Sequence, residues 1–237
     1  ISVQFKAGEV HGIIGPNGSG KSTLISALTR YHELTSGSVT LLGAEADKKP
    51  FKVARDGVTR VFQIPHLFER VSVLDNVLTG MYRRDKYSIF DAILRTPRYL
   101  KANSRSVAEA KALLSLAGML GMEELAAGSI SHGQKRLLEV IRAVATEPKI
   151  LILDEPATGL TQDEMHSLTS LIRTLAAGGM CVVLIEHNVA FLMDLADIVT
   201  VIQSGKVIAE GTPKEVQKNE RVLEAYLGNT DFSKELA

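Results

Sequence analysis

The chain has 237 residues, of which 45% are hydrophobic and 23% are charged, and these values are typical of a globular protein. Its 27 Lys and Arg residues balance its 27 Asp and Glu residues, so net charge gives no reason to expect nucleic acid or an anionic membrane as the main ligand. The apolar runs are too short to span a bilayer. The single cysteine, Cys181, cannot form an internal disulfide, so we expect a reducing compartment.

Short apolar runs rich in β-branched residues alternate with helical patterns along the chain. The runs predict strands at residues 1–5, 10–14, 58–62, 149–153, 180–185 and 198–202. The helical patterns predict helices at residues 21–30, 131–145, 161–177 and 188–196. Strands that are apolar along their whole length are buried on both faces. We therefore expect an α/β fold with a mostly parallel sheet that is covered by helices.

Between about residues 72 and 128 the strand pattern disappears. Ser72 and Ser106 are each followed three residues later by an acidic residue, which predicts that helices begin there. We expect residues 72–128, together with the helix at 131–145, to form a helical subdomain. This subdomain is inserted into a single domain that comprises residues 1–237.

The pattern changes again near the end of the chain. Residues 203–211 predict the second strand of a hairpin. Thr212, Pro213 and Glu215 then predict the start of a helix, because threonine is a good cap, proline suits the first turn and the glutamate completes a capping box.

The most specific motif is Gly15-Pro-Asn-Gly-Ser-Gly-Lys-Ser22, which matches G-x-x-x-x-G-K-[ST] between a predicted strand and a predicted helix. Glycines let such a loop curl until its N–H groups point inward, and the helix start adds partial positive charge. We expect Lys21 to reach the β- and γ-phosphates of a nucleotide and Ser22 to bind Mg²⁺. A glycine-rich turn without a ligand is the alternative. The predicted nucleotide contacts are Gly15, Pro16, Asn17, Gly18, Ser19, Gly20, Lys21, Ser22 and Thr23.

Two carboxylates, Asp154 and Glu155, follow the apolar strand predicted at residues 149–153. A carboxylate at the carboxyl end of a parallel strand, level with the phosphate loop, can hold Mg²⁺, and a second one can activate water. We assign Asp154 to the metal and Glu155 to the general base. The alternative is a strand that becomes polar where it meets solvent.

Gln63 and His187 also follow predicted strands. The amide of Gln63 can contact Mg²⁺ or the attacking water without adding charge, although a solvated loop residue would be the better interpretation of a single glutamine without its neighbouring motifs. The imidazole of His187 can donate a hydrogen bond to the γ-phosphate. We include Gln63 and His187 with Glu155 as candidate catalytic residues, and Gln63 with Ser22 and Asp154 as candidate metal ligands.

Ser131 stands at the start of the helix predicted at residues 131–145, and two interpretations stay open. The hydroxyl of Ser131 can simply cap the helix. Alternatively, the small uncharged start Ser131-His-Gly-Gln134 binds an anion. If this start lies across the helical subdomain from the chain's own phosphate loop, Ser131, Gly133 and Gln134 contact the nucleotide of a partner chain.

In this order, these motifs resemble the ATP-binding subunit of an ABC transporter, and the resemblance covers essentially the whole chain. It implies a P-loop NTPase fold with a RecA-like core, an antiparallel β portion and a helical subdomain that carries the signature Ser131-His-Gly-Gln134. It also implies that two subunits enclose two ATP molecules. Each site then combines the phosphate loop of one subunit with the signature of the other.

Within that family, the chain is similar to ATPase subunits of importers for branched-chain amino acids, or for urea and short amides. The similarity lies in residues 12–21, 94–97, 185–188, 205–213 and 222–228. It implies an ATPase that uses ATP and Mg²⁺ at the cytoplasmic face of the cell membrane. The implied partners are an identical or paralogous second ATPase subunit, integral membrane permease subunits and, indirectly, a solute-binding protein, with no nucleic acid.

Two positions depart from the family pattern. His132 stands where the signature usually has glycine, and Thr161 stands where a loop between the two sites usually has Asp or Asn. Thr161 and Glu164 also match a capping box, so a cap and communication between sites both explain Thr161. The aromatic residue that usually stacks on adenine is expected upstream of residue 1.

The apolar residues after Gln63, namely Ile64, Pro65, Leu67 and Phe68, either dock a permease or pack under the helical subdomain. Other functions also remain open. They are a soluble ABC ATPase of nucleic-acid repair or translation, a regulatory nucleotide-binding module without hydrolysis, and an ATPase for lipid export.

Overall fold

The computed structural model describes residues 1–46, 49–64, 66–82 and 88–227. They form two compact units. The sheet unit comprises Ile1–Gln63, Lys149–Ala157 and the described residues from Ile172 onward. The helical unit comprises Ile64–Pro148 and Thr158–Leu171, so it begins before residue 72 and takes in the start of a later helix. The grouping of residues 1–237 into one domain stays a prediction.

The secondary structure follows the predicted alternation. The strands of the described residues are β1 (Val10–Ile14), β2 (Thr40–Leu41), β3 (Ala44–Glu45), β4 (Val58–Val61), β5 (Ile150–Asp154), β6 (Cys181–Ile185), β7 (Ile198–Gln203) and β8 (Lys206–Gly211). The helices are α1 (Lys21–Leu28), α2 (Pro50–Arg55), α3 (Val73–Met81), α4 (Ile89–Ile93), α5 (Pro97–Leu116), α6 (His132–Val144), α7 (Gln162–Ala177), α8 (Val189–Leu195), α9 (Pro213–Gln217) and α10 (Glu220–Leu227).

The main sheet has the strand order β4-β5-β6-β1-β7-β8. All neighbouring pairs are parallel except β7 and β8, which are antiparallel, and β2 pairs with β3 in a separate antiparallel ribbon. Every residue of β1 and β6 is buried, because both strands are interior and their apolar side chains pack on both faces of the sheet. The α/β fold with a mostly parallel sheet is confirmed.

The parallel strands fix where the predicted site residues lie. Because β1, β4, β5 and β6 run in the same direction, their carboxyl ends meet at one edge of the sheet. The phosphate loop follows β1, Gln63 follows β4, Glu155 follows β5 and His187 follows β6. Residues that are far apart in sequence are therefore neighbours at this edge.

The helical unit is held together by α3, α5 and α6. These helices bury apolar side chains against one another, including Val77 of α3, Leu114 of α5 and Leu138 of α6, each 0% exposed. Gly80 allows α3 and α6 to approach closely, because a Cβ atom at this position would overlap the carbonyl oxygen of Arg142. No helix in the described part of the chain combines the length and apolar character needed to cross a membrane.

One predicted strand is absent, and one predicted helix start is misplaced. Residues 1–5 form no strand, because interior β1 is already paired with β6 and β7 and no other ladder includes this segment. Ser106 lies in the middle of α5 rather than at a helix start. The helix begins ten residues earlier because Thr96 caps it, its hydroxyl accepting the Tyr99 N–H at 3.3 Å, and Pro97 suits the first turn.

Two other predicted helix starts are confirmed. The Ser72 hydroxyl accepts the N–H of Asp75 at 3.0 Å at the start of α3. The carboxylate of Glu215 accepts the Thr212 N–H at 2.8 Å at the start of α9. The hairpin strand predicted at residues 203–211 is β8, which begins at Lys206 and pairs with β7.

Truncation of a side chain in β6 tests how strongly this strand supports the sheet. Leu184 is 0% exposed and lies between β1 and β5, so we expect Leu184→Ala to lower the free energy of unfolding by about 2–5 kcal/mol. Leu120 is 57% exposed, and we expect Leu120→Ala to change the free energy of unfolding by less than about 0.5 kcal/mol. Denaturant unfolding measures both, and equal effects would contradict the assigned burial.

Candidate functional site

The phosphate loop joins the buried strand β1 to α1. Gly15 lies so close to β7 that a Cβ atom at this position would overlap the carbonyl oxygen of Ile202. Gly20 has a φ of 107°, which favours glycine, and it directly precedes the helix. The turn between β7 and β8 also holds the loop, because the Gly205 N–H donates to the Ser19 carbonyl at 2.8 Å. The loop therefore has a fixed path at the start of α1.

Lys21 is held against the loop that precedes it. Its side chain is buried, and Nζ donates to the carbonyl oxygens of Gly15 at 2.7 Å and Pro16 at 3.2 Å. Burial lowers the pKa of Lys21, while the nearby carboxylates of Glu155 and Asp154 oppose this shift. The ammonium group is therefore positioned within reach of both the loop and the two carboxylates.

The remaining loop residues differ in exposure. Asn17 and Gly18 are exposed in the loop, and Ser22 and Thr23 are exposed in the first turn of α1. Ser19 is buried, and its hydroxyl finds no hydrogen-bond partner among the described residues. A buried hydroxyl beside a helix start and an ammonium group fits an anionic phosphate, which accepts hydrogen bonds.

Asp154 ends β5 and pairs with an arginine that the sequence analysis missed. Arg60 of β4 donates from Nη2 to Oδ2 of Asp154 at 2.5 Å, and both side chains are about 15% exposed. The guanidinium also lies 4.7 Å from the ring centroid of Phe62. The sequence does indicate this pair, because Arg60 is a charged residue within an otherwise apolar predicted strand and so requires a partner. Arg60 fixes the orientation of the Asp154 carboxylate.

The structure brings Glu155, Gln63 and His187 together. Gln63 Nε2 donates to Oε2 of Glu155 at 2.5 Å, and His187 Nε2 lies 2.7 Å from Oε1. Glu155 itself has a φ of 47°, and its N–H donates to the carbonyl of Ile185 at 2.8 Å. A left-handed conformation at a non-glycine residue is strained and is often found at functional sites. Both oxygens of the carboxylate are therefore held by predicted site residues.

A second carboxylate, Glu186, lies buried next to His187 and was also missed. Oε1 of Glu186 accepts the Ala157 N–H at 2.7 Å, and the backbone N–H groups of Asn188 and His187 also bond to this side chain. Burial raises the pKa of Glu186 to about 7, against the opposing effect of these bonds. Glu186 thus joins the loop after Glu155 to the loop that carries His187.

In the helical unit, the predicted signature begins α6. Ser131 caps the helix, since its hydroxyl accepts the Gln134 N–H at 3.1 Å and the Gln134 side chain accepts the Ser131 N–H at 2.9 Å. Thr161 and Glu164 form the corresponding box at the start of α7, where the carboxylate accepts the Thr161 N–H at 3.0 Å. The capping interpretation of both residues is therefore observed. The anion-binding role of Ser131, Gly133 and Gln134 stays a prediction.

Comparisons with known proteins agree with this architecture. A family model described as ABC transporter matches residues 1–158, and one described as branched-chain amino acid ATP-binding cassette transporter matches residues 206–231. The chain belongs to the ABC transporter family. This confirms the predicted family and the P-loop ATPase fold, and it assigns nucleotide binding and ATP hydrolysis to the chain.

Relatives and solved structures match along nearly the whole chain. The high-affinity branched-chain amino acid transport ATP-binding protein LivG of Salmonella typhimurium is 35% identical over 96% of this chain and 90% of its own length. The corresponding BraF protein of Pseudomonas aeruginosa is 34% identical with the same coverage. A crystal structure of the ADP conformation of an ABC transporter ATP-binding cassette has a TM-score of 0.81 and 31% identity, covering 97% of this chain and 91% of that chain.

The buried carboxylate of Glu186 predicts a pH dependence of stability. Folding raises the pKa of Glu186 from 4.5 to about 7, so between these pH values the folded state keeps a proton that the unfolded state has lost. The protonated Glu186 therefore contributes its full stabilisation below pH 4.5, and this stabilisation is lost as pH rises through 7. The loss amounts to about 3 kcal/mol. We expect Glu186→Gln to remove this slope, whereas Glu124→Gln, at an exposed position, keeps it. Denaturant unfolding between pH 4.5 and 8 measures the slope, and an unchanged slope in Glu186→Gln would contradict the assignment.

Proposed function

We propose that this chain is the ATP-hydrolysing subunit of an ABC importer for branched-chain amino acids. The observation that carries the catalytic assignment is the Glu155 carboxylate, held by Gln63 and His187 at the sheet edge where the phosphate loop also lies. The transported solute is proposed from the relatives, which are branched-chain amino acid transport proteins by name.

The phosphate loop binds the triphosphate of ATP in this proposal. The ammonium of Lys21 moves from the carbonyls of Gly15 and Pro16 to the β- and γ-phosphates, and the N–H groups of the loop donate to phosphate oxygens. The residues that would hold Mg²⁺ are Ser22, Asp154 and Gln63, whose oxygen atoms are the type of donor this ion prefers. A Mg²⁺ ion held by these residues would supply positive charge that stabilises the reacting phosphates.

Glu155 acts as the general base in the proposed reaction. A water molecule attacks the γ-phosphorus and transfers its proton to the Glu155 carboxylate, while the bond from the γ-phosphorus to the oxygen that bridges to the β-phosphate breaks and ADP leaves. Gln63 and His187 hold this carboxylate in the structure, and in the proposed reaction His187 donates to the γ-phosphate instead once ATP is bound. Arg60 holds Asp154 in place beside the reacting groups.

The complete site in this proposal requires a second ATPase subunit, identical or paralogous. Ser131, Gly133 and Gln134 of one subunit contact the ATP that the other subunit holds in its phosphate loop. Closure of the pair around ATP is coupled to permease subunits, which receive the solute from a solute-binding protein. We place the chain on the cytoplasmic face of the cell membrane, bound to the permease.

Removal of the Glu155 charge separates binding from hydrolysis. We expect Glu155→Gln to retain ATP binding, to lower turnover by at least about a hundredfold, and to accumulate a closed dimer, because the proton acceptor is lost while the phosphate contacts remain. Phosphate release and sedimentation in saturating ATP measure these effects. Turnover equal to that of the unaltered protein would refute the assignment of Glu155 as the base.

We propose that the segment after Gln63 docks the permease. Ile64 is 69% exposed and Phe68 is 55% exposed, whereas Leu67 is partly buried, and Pro65 lies outside the described residues. Exposed apolar side chains that lie close together in sequence are typical of a contact surface.

A cysteine cross-link tests this docking surface. We expect Ile64→Cys in the complex with its membrane subunits to form a cross-link to the permease, and Leu42→Cys, at a position 56% exposed on the β2–β3 turn, to form none. The native Cys181 should not react, because burial raises its pKa to about 11. An active complex in which Ile64→Cys never cross-links would refute the proposed contact.

A further inference from the structure

A carboxylate of the helical unit occupies the start of the signature helix α6. Oε1 of Glu164 accepts hydrogen bonds from the Ser131 hydroxyl at 3.1 Å and from the Gly133 N–H at 3.2 Å. Oε2 accepts from the N–H and the hydroxyl of Thr161, at 3.0 and 3.1 Å. One side chain therefore links the start of α6 to the start of α7.

The bonds to this carboxylate favour its charged form. They lower the pKa of Glu164, with the largest contribution from the Thr161 N–H, so the side chain is an anion at neutral pH. The start of α6 provides partial positive charge and the Gly133 N–H group, which donates to Glu164, and both stabilise an anion at this point. Glu164 therefore accepts hydrogen bonds from the Ser131 hydroxyl and the Gly133 N–H, which are the groups that would donate to a phosphate oxygen.

Space at the helix start is also taken by Glu164. A Cβ atom placed on Gly133 would overlap the carboxyl carbon of Glu164, so the two residues are in direct contact. A phosphate oxygen cannot accept from the Gly133 N–H while Oε1 of Glu164 does so from this close position. Two anions side by side would also repel each other.

We propose that Glu164 is an internal anion that holds the start of α6 and must be displaced before the partner subunit's ATP can bind there. The inference rests on the proposed function, because it requires that Ser131 and Gly133 contact the nucleotide of a second subunit. Displacement breaks the two bonds to Oε1 and leaves Oε2 with Thr161. Glu164 thus opposes closure of the pair until ATP is present.

The displacement also gives Thr161 a part in the response to ATP. Thr161 and Glu164 remain joined through Oε2, so a movement of the carboxylate away from α6 is passed on to the loop at Thr161. The segment that begins α7 therefore responds when phosphate occupies the start of α6. This occurs although the usual Asp or Asn is absent at position 161.

The test measures ATP-dependent dimerisation in a protein that cannot hydrolyse ATP. Sedimentation equilibrium with Mg-ATP is performed on Glu155→Gln, on Glu155→Gln with Glu164→Gln, and on Glu155→Gln with Asp163→Asn. Asp163 is the matched control, because it is an exposed acidic residue in the same first turn of α7. Both second substitutions remove one negative charge, but only Glu164→Gln changes the group that contacts Ser131 and Gly133.

We expect Glu164→Gln to lower the dimer dissociation constant roughly tenfold, because a neutral amide holds the donors of α6 more weakly than a carboxylate. Asp163→Asn should change it less than about twofold. If Glu164 only capped α7, Glu164→Gln would raise the dimer dissociation constant or leave it unchanged, because loss of a cap does not tighten a dimer. Equal or weaker dimerisation of Glu164→Gln, compared with Asp163→Asn, would overturn the proposal.

Two further outcomes have defined meanings. Failure of Glu155→Gln itself to dimerise in Mg-ATP contradicts the proposed function and, with it, this inference. If Glu164→Gln does not fold, Glu164→Asp takes its place, because the shorter side chain withdraws the carboxylate from Gly133 while keeping the charge. Tighter dimerisation of Glu164→Asp supports the displacement, and unchanged dimerisation contradicts it.

Discussion

The site depends on one constraint, which is that parallel strands buried on both faces end at a common edge. The interior strands β1, β5 and β6 are mostly apolar and buried, while the edge strand β4 is partly exposed at Thr59 and Arg60, and the polar residues of the site mostly follow the ends of these strands. The phosphate loop and three polar loops therefore meet at this edge. An ammonium, two carboxylates, an amide and an imidazole therefore lie at the same edge of the sheet.

Hydrogen bonds and one ion pair hold these groups in place. Each carboxylate at the edge has a defined partner, since Arg60 pairs with Asp154, and Gln63 and His187 hold Glu155. Such partners fix orientation, which a reaction that depends on the placement of one water molecule requires. In the helical unit, Glu164 is held by N–H groups and hydroxyls rather than by a cation.

Local patterns in the sequence predicted most of the fold and the candidate residues Gln63, Glu155 and His187 that lie together in the structure, whereas other contacts between distant segments were missed. The strands and the phosphate loop follow from hydrophobic periodicity and glycine spacing, which are properties of neighbouring residues. The partners Arg60 and Glu186 depend on which strands lie side by side, and Glu164 depends on the approach of α7 to α6. Ser106 was wrongly placed at a helix start because Thr96 and Pro97 provide a stronger one.

The most direct test of the account is calorimetric titration of the full chain with Mg-ATP. If the phosphate loop binds the triphosphate through Lys21, the unaltered protein binds one nucleotide per chain. The Lys21→Ala variant, shown to be folded by circular dichroism, then binds no nucleotide at the same concentrations. A folded protein that releases no heat and shows no saturable affinity for Mg-ATP would contradict the account, as would full affinity in Lys21→Ala.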